Sequence, residues 1–328
     1  MRYSEDQSTV SETEWNIPFF GSAIQNETCR RREELLSRND PRQKEPARLN
    51  EAEQAASAAE RYAHLLELID TVHQICGESV DWSRIAALEP PYGRGEKGPR
   101  EQQAETRLRE FKPTRLQKLL KQDAVIRQQL EDELERAKEE DCLEYSRWKS
   151  AADFARDILE GNRTAYLRVL EEFAPLNDLL ALGSGLEFAV LDPTTVEVEL
   201  DVNSGQIIPQ ESKRLAEDGT LVTVPLEVED QNALEYKYAC GCAFRIAREL
   251  FALLPLETVL VHARDTKINR ESGQEEYVTV LSIRFDRGTL SGLDGGTETC
   301  PPLLEHFHHH VKFDAAYGFL PVEQVDRI

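Results

Sequence analysis

From Ala239 to Leu254 the chain is apolar on almost every side of a helix, with Cys240, Phe244, Ile246, Leu250, Phe251 and Leu253 pointing in different directions round the axis. A helix with no wet face must lie inside a core. The rest of the second half therefore has to supply its covering. A helix over Asp230–Leu254, with Asp230 as N-cap, is the expected centre. Short runs around it read as strands: Glu187–Leu191, Thr195–Val202, Leu221–Val228, Thr258–Ala263 and Tyr277–Phe285. In the second run Val196, Val198 and Leu200 alternate with Glu197, Glu199 and Asp201, which predicts one core face and one solvated face. Asn203, Ser204 and Gly205 make a turn. Arg163–Leu182 reads as a buried helix, and Pro302–Phe313 as a terminal one. The class is α+β, with an antiparallel or mixed sheet packed on the buried central helix.

The first half has a different texture. From Glu51 to Cys76 the apolar residues Ala55, Ala58, Tyr62, Leu65, Ile69, Val72 and Cys76 recur in steps of three and four, the period of a coiled-coil seam, and Gly77 stands where a C-cap belongs. A second seam runs through Thr114–Glu160: Ile126, Leu130, Leu134 and Ala137, then Tyr145, Trp148, Ala152, Ala155 and Leu159, with Asp141 interrupting it. Between them lie a short helix over Val80–Leu88, the breaker Pro90–Gly93 and a polar, loosely helical stretch from Gly95 to Lys112. Two seams joined by a folded insert suggest an N-terminal α-helical coiled-coil hairpin, with an intermolecular coiled coil as the alternative. The expected domains are a flexible segment over 1–48, a helical arm with a capping insert over 49–162 and an α+β domain over 163–328. Within the first, Trp15, Ile17, Pro18, Phe19 and Phe20 form an apolar island, and Arg30–Arg32 a basic run.

Charge narrows the classes of partner. The 328 residues carry a formal net charge of −22, a field that repels phosphate and argues against nucleic acid as a non-specific ligand. No stretch approaches the roughly 20 apolar residues of a membrane span, and Met1–Val10 has no apolar leader core. Six scattered cysteines form no disulfide framework and read as free thiols in a reducing cytoplasm.

The stretch from Tyr238 to Pro255, the run Glu257–His262 and the stretch Phe313–Val322 with its Tyr-Gly-Phe-Leu-Pro core resemble segments of an uncharacterised bacterial protein family. Its members pair a coiled-coil region with a C-terminal α/β domain of unknown function and look similar over most of residues 50–322. The resemblance implies that architecture and a bacterial origin. It transfers no catalytic residue.

Candidate chemistry is sparse. Asp201, Glu235 and Lys237 contain the residue types of a Mg²⁺ nuclease, two carboxylates for the metal and a lysine to steady the attacking water. Glu235 and Lys237, however, fall inside the expected helix, where residues two apart diverge. On a helix, His306 and His310 would share a face and could hold zinc. Cys240 and Cys242, diverging by roughly 200° on a helix, cannot clasp one metal there; with Gly241 they read as small residues that allow close packing. Arg245 and Glu249 are spaced for an ion pair. No phosphate loop, nucleophile elbow or zinc-protease motif is present, and no cofactor is implied. The expectation is a cytoplasmic interaction or scaffold protein that binds a protein partner, or itself, through its arm without a membrane. The alternative is a Mg²⁺-dependent, phosphodiester-cleaving subunit of a bacterial multi-protein system.

Overall fold

A computed structural model of the chain describes residues 51–269, 272–293 and 300–327; the apolar island and the Arg30–Arg32 run lie outside them. The first half contains α1 (Glu51–Thr71), α2 (Trp82–Ala86), α3 (Pro99–Glu110), α4 (Arg115–Leu119), α5 (Asp123–Leu159), α6 (Arg163–Phe173) and α7 (Asn177–Ala181). Then follow β1 (Gly185–Asp192), β2 (Thr195–Asp201), α8 (Ser204–Ile207), β3 (Glu211–Leu215), β4 (Leu221–Pro225) and α9 (Val228–Leu253). The chain continues with β5 (Thr258–Ile268), β6 (Glu275–Asp286), α10 (Arg287–Gly292), β7 (His308–Val311), β8 (Phe313–Asp314) and β9 (Gly318–Phe319). Single 3₁₀ turns cover Val72–Gln74 and Pro302–His306.

Helix α9 is the centre of the core. Its N-cap position is Glu227 rather than Asp230, and Glu227 makes no side-chain cap; Asp230 with Glu229 sits in the first turn, where carboxylates favour the helix dipole. One flank packs on β5 and β6, the other on α1 and the 3₁₀ turn Val72–Gln74. The reason for the Cys240-Gly241-Cys242 sequence is visible there: a Cβ on Gly241 would stand 2.5 Å from Val72 Cγ1. Only glycine lets the turn approach that closely. At the far end, the carbonyls left free by the last turn find fixed donors. Arg287 donates to the carbonyls of Phe251 (2.9 Å) and Leu254 (2.6 Å), and Trp82 Nε1 to that of Leu253 (2.6 Å).

The main sheet is mixed and has the order β1-β2-β5-β6-β7. Only β2 and β5 run parallel, and α9 lies in the crossover between them together with the hairpin β3–β4. The face toward α9 carries Val196, Val198, Leu200, Val259, Val261, Ile283 and Phe285, all fully buried. The opposite face carries Glu197, Glu199 and Asp201, which the alternation assigns to solvent. Glu197 is buried instead, because the C-terminal stretch lies across it. Val322 N–H donates to the carbonyl of Thr279 (3.0 Å), Val325 N–H to Ser282 Oγ (2.9 Å), and Arg327 to both oxygens of Glu197 (2.9 and 2.7 Å).

The helical half differs from the expected pairing. The seam of α1 is covered by α9 and the β3–β4 hairpin, not by the long helix. The partners of α5 are α2 and α3. Arg100 on α3 meets Asp141 and Glu144, and Arg107 meets Glu133, so α3 runs antiparallel to α5. Asp141, which interrupts the seam, is almost fully buried. Its Oδ2 accepts the backbone N–H of Glu101 at 2.8 Å, capping α3, whose own N-cap is Gly98 and offers no side chain. Gly77 does not end a helix in the left-handed conformation; it lies against the Glu249 carboxylate. The single helix expected over 163–182 breaks where Ala174 adopts φ 42° before Pro175, since proline disfavours the α region for the residue preceding it. Ile158 rather than Leu159 enters the core. Among the described residues no helix is long and apolar enough to cross a membrane.

Candidate functional site

Two charged clusters sit on the sheet, one on each face. The first lies where β2 and β5 end and α9 begins. Lys267 on β5 is held between Glu235 of α9 and Asp265 Oδ2, the latter at 3.1 Å, and the Ser204 hydroxyl at the start of α8 donates to the same Asp265 oxygen. Burial raises the Glu235 carboxyl above its usual range, against the pull of the Lys267 ammonium. Burial opposes the charge on Lys267, but Glu235 and Asp265 outweigh it and hold the amine above its usual value. An amine locked in its charged form is neither a nucleophile nor a base. What it does in this place is offset part of the negative charge of the two acids facing it.

The second cluster occupies the face under the C-terminal stretch. His262 is buried with Nδ1 2.7 Å from Ser282 Oγ and Nε2 3.2 Å from Glu197 Oε1. The composition is that of a serine triad, yet Ser282 is fully buried and already accepts the Val325 N–H, so no substrate carbonyl reaches it. Burial lowers the His262 basicity, partly offset by Glu197. Beside it, the Arg264 guanidinium lies 4.3 Å from the Tyr277 ring centroid and 3.0 Å from Glu199.

The three residues of the expected metal-dependent site are not brought together. Asp201 shares the face of Glu197 and Glu199, whereas Glu235 approaches the sheet from the α9 side. Lys237 projects away from both and pairs with Asp70 on α1 at 2.8 Å. Sequence reasoning missed Lys267 and Asp265, whose alternation along β5 past Ala263 placed them on the α9 face. His306 and His310 do not share a helix. Phe307, stacked edgewise on Phe244 and Phe285, closes the 3₁₀ turn, and His308–His310 continue as β7 along β6. His310 Nδ1 is 2.9 Å from the carbonyl of Glu323. Among the described residues no group of three or more His, Cys, Asp or Glu could hold a metal ion.

No family model, curated protein or solved structure matches this chain in the comparisons made. The residues themselves therefore carry the functional reading.

The thiols add no reactive group to either cluster. Burial pushes Cys242 and Cys300 up to about 12, and burial with the Glu249 charge pushes Cys76 up to about 11. Arg245, buried on the α1 side of α9, pairs with Glu249 at 3.0 Å and Asp178 at 3.3 Å, the spacing the sequence predicts for the first of these. Several large apolar side chains are exposed close together in sequence on the helical limb. The antiparallel course of α3 carries the chain toward the start of α5, and α4 lies in the connection between them. There Leu116 is 69% exposed, Leu119 82%, Leu120 56% and Val125 57%. From this tip to Ala152, where α5 enters the core, is about 43 Å at 1.5 Å per residue.

Proposed function

We propose that this protein is an interaction component, in which the α+β body anchors a helical limb and the limb engages a protein partner. The exposed apolar residues at the tip carry the reading. Solvent-exposed leucines occur singly on any surface, but four large apolar side chains exposed within ten residues supply apolar area that a partner can cover. A cytoplasmic, bacterial setting, suggested by the resemblance of residues 238–255 and 313–322, belongs to the same proposal. A coiled-coil contact formed between chains, rather than within one, also fits the limb, because the described part of α5 leaves much of its surface free.

The test is quantitative co-purification of the full chain from its native cell, with wild type compared against Leu116→Ser/Leu119→Ser/Leu120→Ser. Proteins recovered with the wild type should fall at least tenfold with the variant, at unchanged far-UV circular dichroism. Identical recovery with both chains overturns the reading.

A further inference from the structure

One side of α5 faces away from α3 along its whole free length. Val125, Gln129, Asp132, Arg136, Glu139 and Leu143 occupy it, and all six are exposed. Val125 and Leu143 are eighteen residues apart, five turns of helix, so the two large apolar side chains stand on the same line, about 27 Å from each other. Asp132 and Arg136 lie between them and equidistant from the midpoint, near residue 134. Rotating a second copy by 180° about that midpoint sets Val125 of each against Leu143 of the other. The same operation sets Asp132 against Arg136 and Gln129 against Glu139. A surface that complements itself under a two-fold axis is the pattern of an isologous dimer.

Building on the interaction reading above, we infer that the partner of the limb is a second copy of this chain, paired antiparallel through this stripe. Apolar contacts close the two ends and two reciprocal Asp132–Arg136 pairs fix the register. Parallel pairing would set Asp132 on Asp132 and Arg136 on Arg136, and like charges at close quarters disfavour it. The footprint is small. A strip about 27 Å long and about 10 Å wide on each α5 falls below the roughly 1,200 Å² total of a standard interface. The dimer is correspondingly weak, with a Kd of the order of 1–100 µM.

Two experiments test it on the full chain. In sedimentation equilibrium the wild type should reach dimer with a Kd in that range. Asp132→Arg should weaken it about tenfold, and Asp132→Arg/Arg136→Asp should return it to within about threefold, because the swapped charges again meet their opposites across the axis. In the second, Val125→Cys is made in a Cys29→Ser/Cys76→Ser chain that keeps the exposed Cys142. Within one helix the two thiols are about 25 Å apart, beyond the reach of a short bismaleimide. The antiparallel pair predicts covalent dimer linked 125-to-142 in peptide mass spectra. Links of 125-to-125 and 142-to-142, a double charge swap no better than the single, or a chain monomeric at 200 µM would each overturn the inference. If the chain is monomeric but a different protein is still recovered in a tip-dependent way, the interaction reading stands without this one. Loss of tip-dependent recovery as well removes both.

Discussion

Replacing Lys267 by methionine removes the one cation between two buried carboxylates and keeps the length of the side chain. The Lys267 side chain is 21% exposed, that of Glu235 9% and that of Asp265 5%. Breaking a buried pair by deleting one partner costs about 3–5 kcal/mol, because the remaining charge is left in a poor solvent. The partial exposure of Lys267 places the expected loss near the lower end, about 3 kcal/mol at pH 7.5. In a chain of 328 residues, with an unfolding entropy of about 0.7 kcal/mol/K, that is a fall in Tm of roughly 4–5 °C.

The pH dependence makes the test specific. Without the ammonium, nothing opposes the rise that burial imposes on the Glu235 carboxyl, and Asp265 adds a like charge. The folded variant therefore holds a proton more tightly than the unfolded chain does. Its deficit is full above the raised folded pKa and disappears as pH falls toward the unfolded value of about 4.3. Urea denaturation followed by circular dichroism at pH 7.5 and pH 5 should show the gap between wild type and variant shrinking at the lower pH. Adding Glu235→Gln to the variant should recover about 1–2 kcal/mol at pH 7.5. A deficit below about 1 kcal/mol, or one equal at both pH values, would refute the claim that Lys267 offsets the charge of this pair.

Three further outcomes follow from single contacts. Asp141→Leu, which would mend the apolar seam, should instead destabilise the limb by about 1 kcal/mol and speed amide exchange at Glu101–Gln103, because α3 loses its cap; slower exchange would contradict the cap. The neutral His262 favours the fold above its unfolded pKa of about 6.5 and loses that contribution as pH falls, so between pH 7.5 and 5.5 the wild type should lose up to about 1 kcal/mol more stability than His262→Gln. Equal losses in calorimetric melts would count against a buried neutral imidazole. Gly241→Ala should cost about 1–3 kcal/mol by overpacking against Val72, and Val72→Ala in the same chain should return part of it; additive losses in denaturant titrations would show that the two do not touch.

The residues that made the core legible are those whose pattern has one solution. A helix apolar all round, a β2 alternating Val and Glu, and a small Cys-Gly-Cys segment each point inward whatever surrounds them. The hairpin strand β3, Glu-Ser-Lys-Arg-Leu, was invisible because a half-exposed edge strand has no apolar face to alternate. Three consecutive histidines, His308–His310, carry no period that separates strand from helix, and the pairing with β6 that makes them a strand is long-range. The site suffered from the same limit. Asp265 and Lys267 look like the polar end of a strand until α9 brings Glu235 over them.

Parity explains why the expected carboxylate set could not assemble, and it constrains where any chemistry on this sheet must be sought. Along β2 the residues facing α9 are even-numbered, and the five-stranded order leaves no room for an odd one to change sides. Asp201 is therefore bound to the company of Glu199, Arg264 and Tyr277, while Glu235 is bound to Asp265 and Lys267. A metal bridging Asp201 and Glu235 would have to pass through the sheet. Each face instead pairs acids with its own bases, Glu235 and Asp265 with Lys267 on one side, Glu199 with Arg264 and Glu197 with Arg327 on the other. With each acid set held on its own face, the contact proposed for this chain falls on the helical limb, where Val125 and Leu143 stay exposed at the two ends of one line on α5.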